Sequence, residues 1–179
     1  MKTFLKKIKI IDNFTIELPV TKSEFLPLLC GNVDAENLNS FPNLFEAFSS
    51  SANHYKGEVD ENGFTLQKRM KLGQTAYGFP RAVGVFIEKQ DTLQINVEIN
   101  AFKKFFLFFF PFAILLYSVF LAIGLSILFV KQDLSGLFLI LFILLHATLM
   151  LGGIYWGMKK SIVDMHYNLE RDFYFMLKK

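Results

Sequence analysis

Two hydrophobic patterns divide the chain. Up to about residue 103, apolar and polar positions alternate with a period of two, whereas Phe105–Met158 is almost continuously apolar. Period-two alternation is typical of half-buried strands in an antiparallel sheet. Apolar runs of about 18 residues or more are typical of transmembrane helices. The sequence therefore predicts an α+β module over residues 1–103, followed by a membrane region.

The strand pattern is accompanied by turn signals. The predicted strands are Phe14–Val20, His54–Val59, Phe64–Leu72, Val83–Glu88 and Thr92–Asn100. Asp60–Gly63 and Lys89–Asp91 have the composition of tight turns, so two hairpins are expected. Gly73–Arg81, between the hairpins, is a loop by composition.

Two short helices are predicted between the strands. Thr21 and Glu24 form a capping box ahead of the apolar residue Phe25. Further along, apolar residues fall at helical spacing, at Phe41, Leu44, Phe45 and Phe48. The apolar faces of both helices are expected to cover the inner face of the sheet.

The apolar region predicts two membrane-spanning helices. Phe105–Val130 contains 26 residues without a formal charge, which is roughly 39 Å of helix against a hydrocarbon core of ~30 Å. A second uncharged run, Leu134–Met158, follows after only Lys131–Asp133. Because the connection is so short, the two helices must form an antiparallel hairpin.

Flanking lysines predict the orientation of the hairpin. Lys103 and Lys104 precede the first helix, and Lys159 and Lys160 follow the second. Under the positive-inside rule both termini lie in the cytoplasm. The first residues carry scattered lysines without an apolar core, so a cleavable signal peptide is not expected.

The tail, residues 159–179, carries an apolar stripe with helical spacing. The stripe consists of Ile162, Met165, Leu169, Phe173 and Met176. A helix this short needs a surface to pack on. Either the tail docks on the sheet and completes the module, or it lies in the headgroup layer of the membrane with its aromatic residues as anchors.

Composition excludes several classes of protein. The chain is 53% hydrophobic and only 20% charged, which is unlike an ordinary soluble globule. Its net charge of +3 is too small to indicate nucleic-acid binding. The single cysteine, Cys30, excludes an intrachain disulfide and a cysteine-cluster metal site, and is expected to be a small buried apolar group.

The most conspicuous candidate residue is His146, an ionisable group in the middle of the second apolar run. In an antiparallel hairpin it lies level with Tyr117 and Ser118. Two interpretations remain open. In the first, His146 is functional and either relays a proton or ion or contacts another copy of the chain. In the second, His146 is neutral and hydrogen-bonded to one of these hydroxyls, which would fix the register of the hairpin.

Small residues recur at intervals of four on both apolar helices. They are Ser118, Ala122 and Ser126 on the first, and Thr148 with Gly152 and Gly153 with Gly157 on the second. Such spacing allows helix backbones to approach closely. The two helices either use these stripes on each other or use them to form a homo-oligomer.

A basic group in the module suggests contacts with an anionic ligand or with membrane lipid. Its members are Lys68, Arg69, Lys71 and Arg81. Cations near a cytoplasmic leaflet are attracted to anionic headgroups. A solvated strand edge is the alternative interpretation.

The module resembles a known family. Gly57-x-Val59, Phe64-x-Leu66, Pro80-x-x-x-Gly84 and Ile95-x-Val97 run directly into the phenylalanine-rich region. This arrangement is similar to an uncharacterised bacterial family of small two-pass membrane proteins, which have a β-rich soluble domain before a transmembrane hairpin and a short terminal helix. The resemblance implies the bacterial inner membrane and carries over no functional residues.

The sequence contains no motif typical of catalysis, so an enzyme is not expected, nor a cofactor or a metal. The favoured hypothesis is a membrane-anchored binding protein whose cytoplasmic module recognises a protein partner, a small ligand or lipid headgroups. The alternative is an oligomerising membrane effector or channel-like protein with a cytoplasmic sensor domain.

Overall fold

A computed structural model of the chain describes residues 2–38, 53–69 and 80–178. The predicted helix around Phe41–Phe48, most of the glycine-rich loop and Lys71 lie outside the described residues. The helices are α1 (Lys2–Lys7), α2 (Lys22–Gly31), α3 (Phe106–Val130) and α4 (Ser135–Met176). The strands are β1 (Ile11–Leu18), β2 (Val33–Ala35), β3 (Tyr55–Val59), β4 (Gly63–Lys68), β5 (Arg81–Lys89) and β6 (Thr92–Asn100).

The chain folds as two compact units. Met1–Phe102 and Met158–Lys179 form one, which we call the sheet unit, and Lys103–Gly157 forms the other, which we call the hairpin unit. The sheet unit is thus built from chain on both sides of the hairpin unit. The predicted α+β class, an antiparallel sheet with short helices followed by two long apolar helices, is confirmed.

The sheet has six strands in the order β1-β6-β5-β4-β3-β2. Every neighbouring pair is antiparallel except β2 and β3, which are parallel. Among the described strands, this edge pair is the one departure from the antiparallel pairing that the period-two pattern predicts. A strand of three residues, as in β2, is too short to show a hydrophobic period. Helix α1 was also not predicted, because its six residues are too few to show a helical hydrophobic period.

The core lies on the inner face of the sheet. Alternate residues of β1 and β6 face each other there, with Leu18 opposite Leu93 and Ile16 opposite Ile95, and all four are at most 3% exposed. Helix α2 begins at the predicted capping box, where the Glu24 side chain accepts a hydrogen bond from the Thr21 backbone N–H at 3.0 Å. Cys30, near the end of α2, is exposed and not buried as expected, because α2 turns only Phe25 and Leu29 to the core.

The end of α4 packs on the same face. All five residues of the predicted tail stripe are buried: Ile162, Met165, Leu169, Phe173 and Met176. The ring of Phe173 lies 5.2 Å from that of Phe25 and 5.6 Å from that of Phe64. Of the two alternatives for the tail, the structure shows the one in which it docks on the sheet.

The hairpin unit contains α3 and the first part of α4. Both helices are long and apolar enough to cross a membrane, with mean hydropathies of 2.6 and 2.5 over their most apolar windows. Only 11% of each window is buried inside the protein. The core helices of a soluble protein would be mostly buried, so these helices are compatible with a two-helix membrane region.

Candidate functional site

A cavity of about 230 Å³ opens in the sheet unit where α2, β3 and α4 meet. Its lining residues come from the end of α2, from the start of β3 and from the last turns of α4: Asn32, Asn53, His54, Tyr55, Asp172, Phe175 and Met176. Polar and apolar side chains therefore face one space. Such a combination is typical of small-molecule sites, although most of these are larger, at roughly 300–1,000 Å³.

Asp172 organises the polar side of the cavity. Its Oδ2 accepts a hydrogen bond from the Tyr55 hydroxyl at 2.8 Å, and its Oδ1 accepts bonds from Arg171 Nε at 2.9 Å and Nη2 at 2.7 Å. The His54 Nδ1 lies 4.0 Å from Oδ2. The Asp172 side chain is only 15% exposed. Because a buried carboxylate needs such partners, this network holds Asp172 in one position.

Tyr55 acts as a fixed donor in this network. The residue is 1% exposed. Burial raises the pKa of its hydroxyl above the ordinary range, and the adjacent charge of Asp172 raises that pKa further. The hydroxyl therefore stays protonated at physiological pH and continues to donate to Asp172.

His54 and Asn32 offer groups that a ligand can reach. The His54 side chain is 53% exposed, so its imidazole is accessible from the cavity. Asn32 donates through Nδ2 to the carbonyl of Leu28 at 2.8 Å, at the end of α2, which leaves its Oδ1 able to accept. Phe175 and Met176 supply the apolar side. The site can therefore bind a small molecule that has both a polar and an apolar part.

Sequence reasoning did not find this site. The sequence places His54 only at the start of a predicted strand and does not single out Asp172. Tyr55 and Asp172 are 117 positions apart, and neither belongs to a motif. Only the apolar stripe of the tail gave a signal, since it predicted that this part of the chain meets the sheet.

A second histidine–aspartate pair also joins α4 to the sheet. His166 Nδ1 lies 2.8 Å from Asp12 Oδ2, and the imidazole stacks on the ring of Phe14 with 3.7 Å between centroids. His54 and His166 therefore both lie where the tail meets the sheet. Among the described residues, no group of three or more His, Cys, Asp or Glu side chains could hold a metal ion.

In the hairpin unit, the structure brings together two of the three predicted polar residues. The Tyr117 hydroxyl lies 2.9 Å from His146 Nδ1. Ser118 instead donates to the carbonyl of Ile114, one turn earlier, at 2.8 Å. The Tyr117–His146 contact joins α3 to α4. It is the hydrogen bond expected if His146 fixes the register of the hairpin. A relay or contact role for His146 stays a prediction.

The small-residue stripes do not form the contact between α3 and α4. Ser118, Ala122, Ser126, Thr148, Gly152 and Gly153 are exposed, and Gly157 is half-buried. A Cβ atom added at Gly152 or Gly153 would meet nothing within 4 Å. The close approach occurs instead at Gly124 and Gly136, both of which are buried. A Cβ at Gly136 would lie 2.5 Å from Leu128 N and 2.6 Å from Gly124 O.

Two of the four residues in the predicted basic group, Arg69 and Arg81, are engaged inside the sheet unit. Arg69 pairs with Asp34, and Arg81 Nη2 donates to the carbonyl of Leu38 at 2.7 Å. Lys68 is half-buried. Contacts of these cations with lipid or ligand stay a prediction.

The chain matches no protein-family model, no curated protein and no solved structure. What the structure shares with the family resemblance is its coarse arrangement, a β-sheet domain followed by two long apolar helices.

Proposed function

We propose that this chain is a membrane-anchored binding protein whose sheet unit recognises a small ligand in the cavity beside α4. In this proposal α3 and the first part of α4 cross the bacterial inner membrane and both termini are cytoplasmic. The low burial of the apolar windows supports insertion, because exposed apolar patches this large mark membrane or protein contacts. The flanking lysines support the orientation. We also propose that the chain is a member of the uncharacterised family of two-pass membrane proteins.

One observation carries the binding function. Helix α4 runs without interruption from Ser135 to Met176, and its last turns supply Asp172, Phe175 and Met176 to the cavity. The opposite wall is formed by the start of β3. A ligand in the cavity would therefore contact both the sheet and the helix that also forms the second apolar segment. Such a ligand would stabilise the docked tail by mass action.

The lining limits the chemistry of the ligand. The charge of Asp172 is already compensated by Arg171, so the cavity does not require a charged ligand. Accessible polar groups come from His54 and Asn32, and a flat or aliphatic part would lie against Phe175 and Met176. We infer a small molecule with a polar part that contacts His54 and Asn32 and an apolar part that contacts Phe175 and Met176.

Replacing His54 with leucine should abolish ligand binding and leave the fold intact, because the His54 side chain is 53% exposed. We would measure the thermal stability of the full chain in detergent against amino acids, sugars, nucleosides and small amides. The wild type should be stabilised by at least one of these compounds, and His54→Leu should not respond to it. His146→Leu, outside the sheet unit, is the matched control and should respond like the wild type. An equal response from His54→Leu and the wild type would contradict the proposed site.

A second candidate function, an oligomerising membrane effector or channel-like protein, is favoured by one observation. The small-residue stripes are exposed on the hairpin unit and are not used in its internal packing. Such stripes drive close association of helices in membranes. This candidate predicts a defined oligomer in detergent and a vesicle permeability that changes on substitution of His146 or Gly153. The binding proposal predicts no ion flux.

A further inference from the structure

The amino-terminal segment is strongly basic. Residues 1–11 contain four lysines, Lys2, Lys6, Lys7 and Lys9, and no acidic residue. All four lysines are exposed. Between them Phe4 is 62% exposed, which is high for an aromatic side chain. We call these five residues the α1 patch.

The patch is held in place by the fold. After α1, Lys9 adopts a positive φ of 57°, with Lys9 N–H donating to the carbonyl of Lys6 and Ile10 N–H to that of Leu5. This pair of bonds is a Schellman motif, which ends the helix at a fixed angle. Leu5 and Ile10 are 5% and 3% exposed, so the other side of the segment is anchored in the core. The lysines and Phe4 are therefore directed to the outside.

The patch lies at the end of the sheet from which the chain leaves for the apolar helices. Ile11 pairs with Asn100, the last residue of β6, and Ala101 N–H donates to the carbonyl of Ile10 at 3.2 Å. Only residues 101–105 then separate β6 from the start of α3. The chain re-enters the sheet unit at Met158, and the next two residues, Lys159 and Lys160, are exposed lysines.

Glu98 partly neutralises the patch, and the charges of both Lys2 and Lys6 act on its carboxylate. Lys2 Nζ donates to Glu98 Oε1 at 3.0 Å, and this bond holds the pKa of the Glu98 carboxyl below its ordinary value. The structure therefore uses the charge of Lys2 internally. Because the patch has four lysines and no acidic residue of its own, it keeps a net positive charge beside Glu98.

We propose that the α1 patch binds the anionic headgroups of the membrane in which the apolar helices lie, with Phe4 inserted among the lipids. Charge complementarity identifies the occupant: lysines attract anionic lipid, and an aromatic side chain among them suits the interface between headgroups and acyl chains. The α1 patch is separate from the cavity, so this proposal stands or falls independently of the ligand proposal.

Bromolipid quenching of a tryptophan at position 4 tests the insertion of Phe4. Trp156 is the only tryptophan of the chain, so the full chain would carry Phe4→Trp and Trp156→Phe. It would be placed in nanodiscs of brominated phosphatidylcholine, with or without about one third phosphatidylglycerol. We expect quenching in the discs with phosphatidylglycerol and much less in neutral discs. Raising the salt concentration to about 1 M, where the Debye length is ~3 Å, should reverse the quenching.

The lysine requirement is tested in the same discs with two matched pairs of substitutions. The double substitution Lys6→Gln and Lys7→Gln should lower the equilibrium constant for binding of the α1 patch to the anionic disc surface about 30-fold. Two lysines at about 1 kcal/mol each contribute about 2 kcal/mol. Lys22→Gln with Lys89→Gln removes the same charge from exposed or half-buried lysines outside the patch and should leave quenching unchanged. Equal quenching in neutral and anionic discs would overturn the proposal. So would equal effects of the two pairs, which would mean that only net charge matters.

Discussion

Replacing Phe173 with alanine should lower the free energy of unfolding of the sheet unit by about 3–5 kcal/mol. Phe173 is 0% exposed and packs against Phe25 and Phe64, one from α2 and one from β4. Its ring therefore joins three elements that are distant in sequence. Alanine would leave a cavity among aromatic rings that cannot close without moving the tail. Since domains are typically stable by only 5–15 kcal/mol, much of the population should unfold under mild denaturation.

The matched control lies two residues further along the same helix. Phe175 is 56% exposed, so Phe175→Ala should change the unfolding free energy by less than about 1 kcal/mol. Pulse proteolysis of the full chain in detergent with increasing urea would report the unfolded fraction of the sheet unit. Deleting residues 162–179 should have a still larger effect than Phe173→Ala. If Phe173→Ala and Phe175→Ala behave alike, the tail does not complete the core.

Replacing Gly136 with alanine should destabilise the hairpin unit by about 1–3 kcal/mol, the usual cost of overpacking. The new Cβ would lie 2.5 Å from Leu128 N and 2.6 Å from Gly124 O. Both atoms belong to the backbone of α3, so no side-chain rotation can relieve the clash. The two helices must separate, and the Tyr117–His146 contact should weaken with them.

Gly152→Ala is the matched control for this prediction. A Cβ at Gly152 meets nothing within 4 Å, and alanine is a better helix former than glycine. We therefore expect Gly152→Ala to be neutral or slightly stabilising within the hairpin unit. Titration of the full chain with SDS in mixed micelles, followed by far-UV circular dichroism, would compare the two variants. Equal midpoints would show that α3 and α4 do not approach at Gly136.

The periodic elements were the predictable part of the fold. Strands β1 and β6 were found because their inner face is uniformly apolar, and α2 because Thr21 and Glu24 cap it. The docking of the tail was one of two alternatives that followed from its stripe. An apolar stripe indicates that the helix packs on a surface, but it does not identify that surface. The contacts of the folded tail do, among them those of Phe173 with Phe25 and Phe64.

Short or unpatterned features were not predictable. Strand β2 has three residues and is defined by its partner β3, not by its own sequence. The cavity depends on the contact between Tyr55 and Asp172, which form no motif. The glycines that pack α3 against α4 were also missed, because Gly124 and Gly136 contribute no repeat at intervals of four. In each case the determining contact is between residues that are distant in sequence.

The most direct measurement of the central claim uses the single native cysteine. Cys30 is exposed in the sheet unit, so it should react readily with a membrane-impermeant maleimide wherever the reagent can reach it. In spheroplasts expressing the full chain, we expect no labelling of Cys30 until the membrane is permeabilised. The variant with Cys30→Ser and Leu134→Cys, placed between α3 and α4, should be labelled in intact spheroplasts. Both chains should stay in the membrane pellet after an alkaline carbonate wash. Release of the chain by carbonate, or labelling of Cys30 in intact spheroplasts, would contradict a sheet unit held at the cytoplasmic face by a membrane-spanning hairpin.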